Sequence, residues 1–252
     1  MAGCGVEQAN VPGPSLEGIT VADLSPTVTP DSDRPPVLLF MVTTYLVDES
    51  YLDAVKNCYN SLPHEIIKFA NKAAFEANGF SAFYGTGMAM GPVSDCLVRM
   101  GADRYGQASL ILEAGSEQMF STAFIENDKV EYISAEGDAK EVSLHNGTLG
   151  WAMTAQPDPS APRRVLTHVE PIFLPHGLRH WPGAEKLAQK MSHRFGAAGF
   201  DVSLREADFV LLSVDRDSFA ELTPLERLLF IHPGRRNKLR IFAVLCVKVQ
   251  EH

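Results

Sequence analysis

Three apolar runs of strand length, 37–47 (VLLFMVTTYLV), 207–214 (ADFVLLSV) and 239–249 (LRIFAVLCVKV), do most to limit what this chain can fold into. Each is far short of the roughly 20 apolar residues that a membrane-crossing helix needs. All three read as buried strands. In the last run Leu239, Ile241, Ala243, Leu245, Val247 and Val249 fall on one face, because successive side chains of a strand point to opposite sides.

Between these runs the period changes. Tyr51, Leu52, Val55, Tyr59 and Leu62 recur at helical spacing until Pro63. Ile66, Ile67, Ala70, Ala73, Ala74 and Ala77 predict a second helix that stops at Asn78-Gly79. Val93, Cys96, Leu97 and Met100 predict a short third one. Four strand-like runs follow at 106–114, 118–126, 129–134 and 148–155, with Asn127-Asp128 placed as a hairpin turn, so an antiparallel meander is expected. Residues 157–162 (PDPSAP) form the best internal boundary. After it come a strand at 165–173, a helical face of Ala184, Leu187, Ala188, Met191, Phe195 and Ala198, and a capping box at Thr223-Pro224-Leu225-Glu226.

The expected fold class is therefore α/β (α+β), as two related halves, 37–156 and 163–252, with the meander in the first. The halves echo each other in FEANGF at 75–80 and FGAAGF at 195–200. Duplication explains the echo, and so does coincidence in so short a match.

Residues 1–36 form the third region. Pro12, Pro14, Pro26, Pro30, Pro35 and Pro36 are spaced by small and polar residues, too poor in apolar surface to offset ordering entropy, so a tether is expected. It starts Met1-Ala2-Gly3-Cys4, the small-small-Cys ending of a bacterial lipobox, without the apolar stretch that precedes such a site. Acylation of Cys4 would fix the protein to a membrane outside the cytoplasm; the alternative is a cytoplasmic protein with an accidental AGC start. The net charge of −9 argues against nucleic-acid binding, which needs clustered Lys and Arg. Of the other cysteines, Cys58 and Cys96 can bridge in an oxidising compartment, or all three are small buried apolar residues.

The order strand, helix, Gly-Phe, strand, Ala-Asp, apolar strand resembles a group of bacterial envelope lipoproteins: the curli-secretion lipoprotein, the activator of penicillin-binding proteins and the amino-terminal domain of the Tol propeller protein. The matching stretches are 188–200 (AQKMSHRFGAAGF) with 207–214, and 101–114 (GADRYGQASLILEA). The stretch 145–151 (HNGTLGW) is similar to their turn-then-tryptophan hairpin. The likeness covers about half the chain, and it departs at the helical stretch 50–78 and at Arg104-Tyr105-Gly106. It implies an anticodon-binding-like α/β domain that works by protein contact, with envelope proteins or its own copies as partners and no catalytic residues carried over.

Three groups of side chains are candidates for chemistry. His168 and Glu170 share a strand face and, with His176 and His180, supply the ligand types of a zinc-type site, although 175–182 is crowded by proline and glycine. Arg235, Arg236, Lys238 and Arg240 predict either a solvated turn or a cationic patch for lipid head groups or an acidic partner. Residues 85–91 (GTGMAMG) lack the spacing of a nucleotide-binding loop and read as a loop offering Met88 and Met90 for contact. No nucleophile, base and oxyanion donor assemble, and no cofactor is called for. The expected function is a membrane-tethered, non-catalytic scaffold, assembly or binding module; the competing one is a metal-dependent enzyme using the histidine group.

Overall fold

Alternating burial along strands such as 37–48 and 200–205, and continuous burial of 209–214, give the chain two apolar sheet faces that pack on each other. The computed structural model describes residues 35–161, 163–176 and 192–250. Sheet A is built from β1 (Val37–Asp48), β3 (Phe80–Gly85), β4 (Asp103–Glu113), β10 (Phe209–Val214) and β12 (Arg235–Gln250) in the order β3-β10-β12-β1-β4, with β11 (Ile231–His232) also on β12. Sheet B is built from β2 (Lys68–Phe69), β5 (Glu117–Ile133), β6 (Ala139–Pro157), β7 (Arg164–Pro175) and β9 (Phe200–Arg205) in the order β2-β9-β7-β6-β5, with β8 (His193–Arg194) also on β7. Every pairing is antiparallel. The α/β (α+β) class holds. Among the described residues no helix is long and apolar enough to cross a membrane.

Aromatic rings join the layers. Phe120 of β5 meets Phe242 of β12 at 5.4 Å between centroids, and Phe80 of β3 meets Trp151 of β6 at 5.5 Å. The helix at Pro224–Phe230 inserts Phe230 against Phe80, Trp151 and Phe242. The expected capping box starts this helix: Thr223 Oγ1 accepts from the Glu226 N–H and Glu226 Oε2 accepts from the Thr223 N–H. Its last carbonyls are met by Arg240, whose Nη2 donates to Leu228 and Leu229.

Both sheets take strands from either side of residues 157–162, so the expected halves 37–156 and 163–252 are interleaved and not laid out as separate sheets. Of the proline-rich stretch, Pro157 ends β6 and residues 158–161 belong to the turn toward the neighbouring strand β7, where the Asp158 N–H donates to the Arg164 carbonyl.

Other expectations shift for local reasons. Only the helix Lys72–Ala77 forms from the stripe at 66–77, because Asn71 caps Ala74 and Lys68–Phe69 pairs with β9 instead. Asn127-Asp128 lies inside β5; the reversal comes at 134–138, where Gly137 takes φ 86°. HNGTLGW runs within β6, with Asn146 left-handed at φ 44°. Residues 87–99 are helix, not loop, and Met88 is 89% exposed on it. Of the stripe at 184–198, residues 184–191 lie outside the described residues, while 193–194 is strand and 196–198 a single 3-10 turn.

Cys58 and Cys96 form a disulfide with their Cα atoms 5.6 Å apart, tying the segment after the helix Leu52–Lys56 to the helix Gly87–Arg99. Cys246 is free and buried, and burial pushes its thiol up to about 12.

Candidate binding site on the outer face of sheet B

Along the strands of sheet B one set of residues (Trp151, Met153, Ala155; Val165, Val169; Phe200, Val202, Leu204) faces the core. The other set faces outward and carries the polar groups. Register places Glu117 opposite Thr154, Thr154 opposite His168, His168 opposite Asp201 and Asp201 opposite Lys68. One polar row thus crosses the sheet, with strands about 4.8 Å apart.

His168 is the centre of the row. Its Nδ1 lies 2.7 Å from Asp201 Oδ1 and its Nε2 lies 3.9 Å from Glu170 Oε2. The nearby Glu170 carboxylate and then the hydrogen bond with Asp201 outweigh partial burial and raise the imidazole above its ordinary value. Glu170 is nearly buried, which favours its neutral form, but His168 and Arg194 together overcome this and hold it below the ordinary carboxyl range. Arg194 of β8 donates to Glu170 Oε1 and makes a two-pronged contact with Glu117, Nη1 to Oε2 at 2.8 Å and Nη2 to Oε1 at 2.9 Å. Such forked pairs are the stronger kind.

The turn at Gly196–Ala198 closes over this cluster. A Cβ on Gly199 would stand 3.1 Å from Glu170 Cβ and 3.3 Å from His168 Cε1, so glycine there lets the backbone approach both. A cleft of about 240 Å³ opens beside the row, lined by Gly115, Thr154, Gln156, Leu166, His168 and Asp201.

His168 and Glu170 therefore meet as expected from their shared face, but the expected metal group does not assemble. His176 stands eight residues further on, just past the end of β7, roughly 25 Å away at 3.3 Å per residue, with Nε2 2.5 Å from Thr148 Oγ1 and its ring on Phe124. His180 lies outside the described residues. Among the described residues no group of three or more His, Cys, Asp or Glu is placed to hold a metal ion.

The cationic patch is dispersed as well. Arg240 is buried and donates to the Thr122, Leu228 and Leu229 carbonyls, and Lys238 pairs with Asp48 and Asp103. Arg235 lies over the Tyr105 ring at 5.7 Å, and the Arg236 side chain is outside the described residues. Cys4 is outside them too.

Asp201, Arg194 and Glu117, which complete the site, were not singled out from sequence. They lie 24 to 51 residues along the chain from the nearer of His168 and Glu170, and only strand pairing brings them together. The chemistry on offer is hydrogen bonding and charge pairing: three carboxylates (Glu117, Glu170, Asp201) against His168, Arg194 and Lys68. Both imidazole nitrogens face carboxylates, which favours a held proton over proton abstraction. No family model, no curated protein and no solved structure matches the chain.

Proposed function

We propose that the chain is a membrane-tethered lipoprotein on the periplasmic side of a bacterial membrane, anchored through acylated Cys4, and that it works there by binding other envelope proteins rather than by catalysis. The observation that carries this reading is the Cys58–Cys96 disulfide, since such bonds persist in oxidising compartments and are rare in the cytosol. The charge-matched network around His168 supports binding over turnover, because its groups are committed to one another.

Expression with a signal segment and labelled palmitate tests the anchor. Label is expected on the wild type and not on Cys4→Ser; a wild type without label overturns the anchor. Thiol titration of the denatured, unreduced protein tests the compartment. Cys58 and Cys96 are expected to react only after reduction, and reaction of either before reduction would contradict export.

A further inference from the structure

Strand β4 is an edge of sheet A, paired within it with β1 alone. Residues 103–109 are all exposed, and so are Ile111, by 58%, and Glu113 further along. Antiparallel pairing turns the backbone groups of alternate residues toward the partner strand and those of the others away from it. The Ala114 N–H donates to the Pro36 carbonyl, in step with the pairing of Glu113 with Val37, so the even-numbered residues 106–112 turn toward β1. The odd-numbered ones turn outward, as the Ile111 carbonyl shows by accepting from Gln118 Nε2 at 2.6 Å. Gln107, Ser109 and Ile111 thus direct backbone groups to an exposed side, and such a row is a template for another strand.

The side chains of this edge are complementary to a second copy of it. The register with β1 slips at Tyr105: Gly106 lies opposite Thr44, but Arg104 lies opposite Tyr45. Tyr105 is therefore a bulge, and it puts Arg104 into the outward set. Arg104 and Glu113 share one face, because their partners Tyr45 and Val37 do. Both are exposed, at opposite ends of the strand, and neither has an ion pair among the described residues, whereas the neighbouring Asp103 is taken by Lys238 at 3.1 Å. An antiparallel copy centred on Ser109 sets Ser109 against Ser109 and Gln107 against Ile111. Because the bulge drops Tyr105 from the count, Arg104 then falls opposite Glu113, once in each direction. On the other face Gly106 and Ala108 meet Leu112 and Leu110, so no two large side chains compete. Gly106 itself is not demanded by the single chain: its φ is not positive, and a Cβ there would meet nothing within 4 Å. A glycine so placed in a strand marks where another backbone can approach.

We propose that two copies of this chain pair through β4, edge to edge and antiparallel about Ser109, so that sheet A of one continues into sheet A of the other. Backbone hydrogen bonds at Ser109 and between Gln107 and Ile111 hold the two strands, as in any strand addition. Arg104 of each copy on Glu113 of the other fixes the register. The inference goes beyond the reading of an anchored binding module and does not depend on acylation. A chain that takes up palmitate label yet stays monomeric fails here alone, and an unlabelled dimer fails only the anchor.

Sedimentation equilibrium of the full, unlipidated chain from about 1 to about 300 µM tests it. A monomer–dimer equilibrium is expected. Arg104→Glu and Glu113→Arg, made singly, each set like charges opposite twice per dimer and are expected to weaken it about tenfold. The double variant Arg104→Glu/Glu113→Arg is expected to return to within about threefold of the wild type, because the pair is only reversed. Ser109→Pro removes an outward N–H and no bond to β1, so it is expected to abolish the dimer with an unchanged melting temperature. Should that variant fail to fold, the charge reversal at two exposed positions decides alone. A chain that is monomeric throughout the range overturns the proposal. So does a dimer that a folded Ser109→Pro leaves intact, which would place the contact elsewhere, and so does a double variant weakened as much as the two single ones together.

Discussion

His168 sits between two carboxylates, and its raised pKa makes the network a source of pH-dependent stability. A histidine raised above its ordinary 6.5 contributes fully below that value, and the contribution is lost as pH rises through the folded-state pKa. Glu170, lowered from its ordinary 4.5, contributes above that value and loses its share as pH falls through the lowered pKa. The cluster is therefore strongest between about 4.5 and 6.5. His193 and His232 are held low by burial and act in the opposite sense, so the useful readout is a difference. Thermal melts of wild type and His168→Gln from about pH 5 to pH 9 should show the wild-type advantage shrinking on the alkaline side. A gap independent of pH would contradict the network. Arg240 offers a test of a different kind. The residue is 6% exposed and its guanidinium serves three carbonyls, so Arg240→Met leaves acceptors buried without donors and should cost about 3 kcal/mol in urea unfolding.

At the scale of elements, the disulfide closes a 38-residue separation around the helix Lys72–Ala77 and β3. By loop-closure entropy, the double variant Cys58→Ser/Cys96→Ser should be less stable by about 4 kcal/mol in denaturant unfolding, with no such loss on reduction of the variant. What could be read from sequence divides along the same scale. The strands β1, β10 and β12 and the capped helix at Pro224–Phe230 were legible because their signals are local: an apolar run, or a Thr-Pro-Leu-Glu start. The stripe at 66–77 misled because Lys68–Phe69 answers to β9, over 130 residues away, rather than to its own helical period. Asn127-Asp128 misled because turn chemistry at Gly137, where φ is positive, outcompeted it, while cross-strand pairs such as Asn127 with His145 ran straight on. In the site, the same-face relation of His168 and Glu170 follows from a period of two. Their partners Asp201, Arg194 and Glu117 follow only from register, which no local pattern encodes.

For the molecule as a whole, interleaving decides how it can come apart. The described residues belong to one compact unit, and sheet A pairs β1 with β12 and β4, and β10 with β3 and β12. A fragment of residues 37–156 would keep β1 and β4 yet lack the strands that lie between β1 and β3. It should show neither a cooperative melt nor a near-ultraviolet circular dichroism signal, whereas the full chain should melt in one transition; a fragment that folds alone would show the two halves to be autonomous after all. The pairing of the first strand with the last also governs the order of events in time. One side of β1 stays unmatched until residues 235–250 have emerged. At ordinary elongation rates that wait lasts on the order of 10–40 s. For that interval the VLLFMVTTYLV segment is an open, apolar template, so the chain depends on a holding factor during synthesis or translocation more than its finished structure suggests.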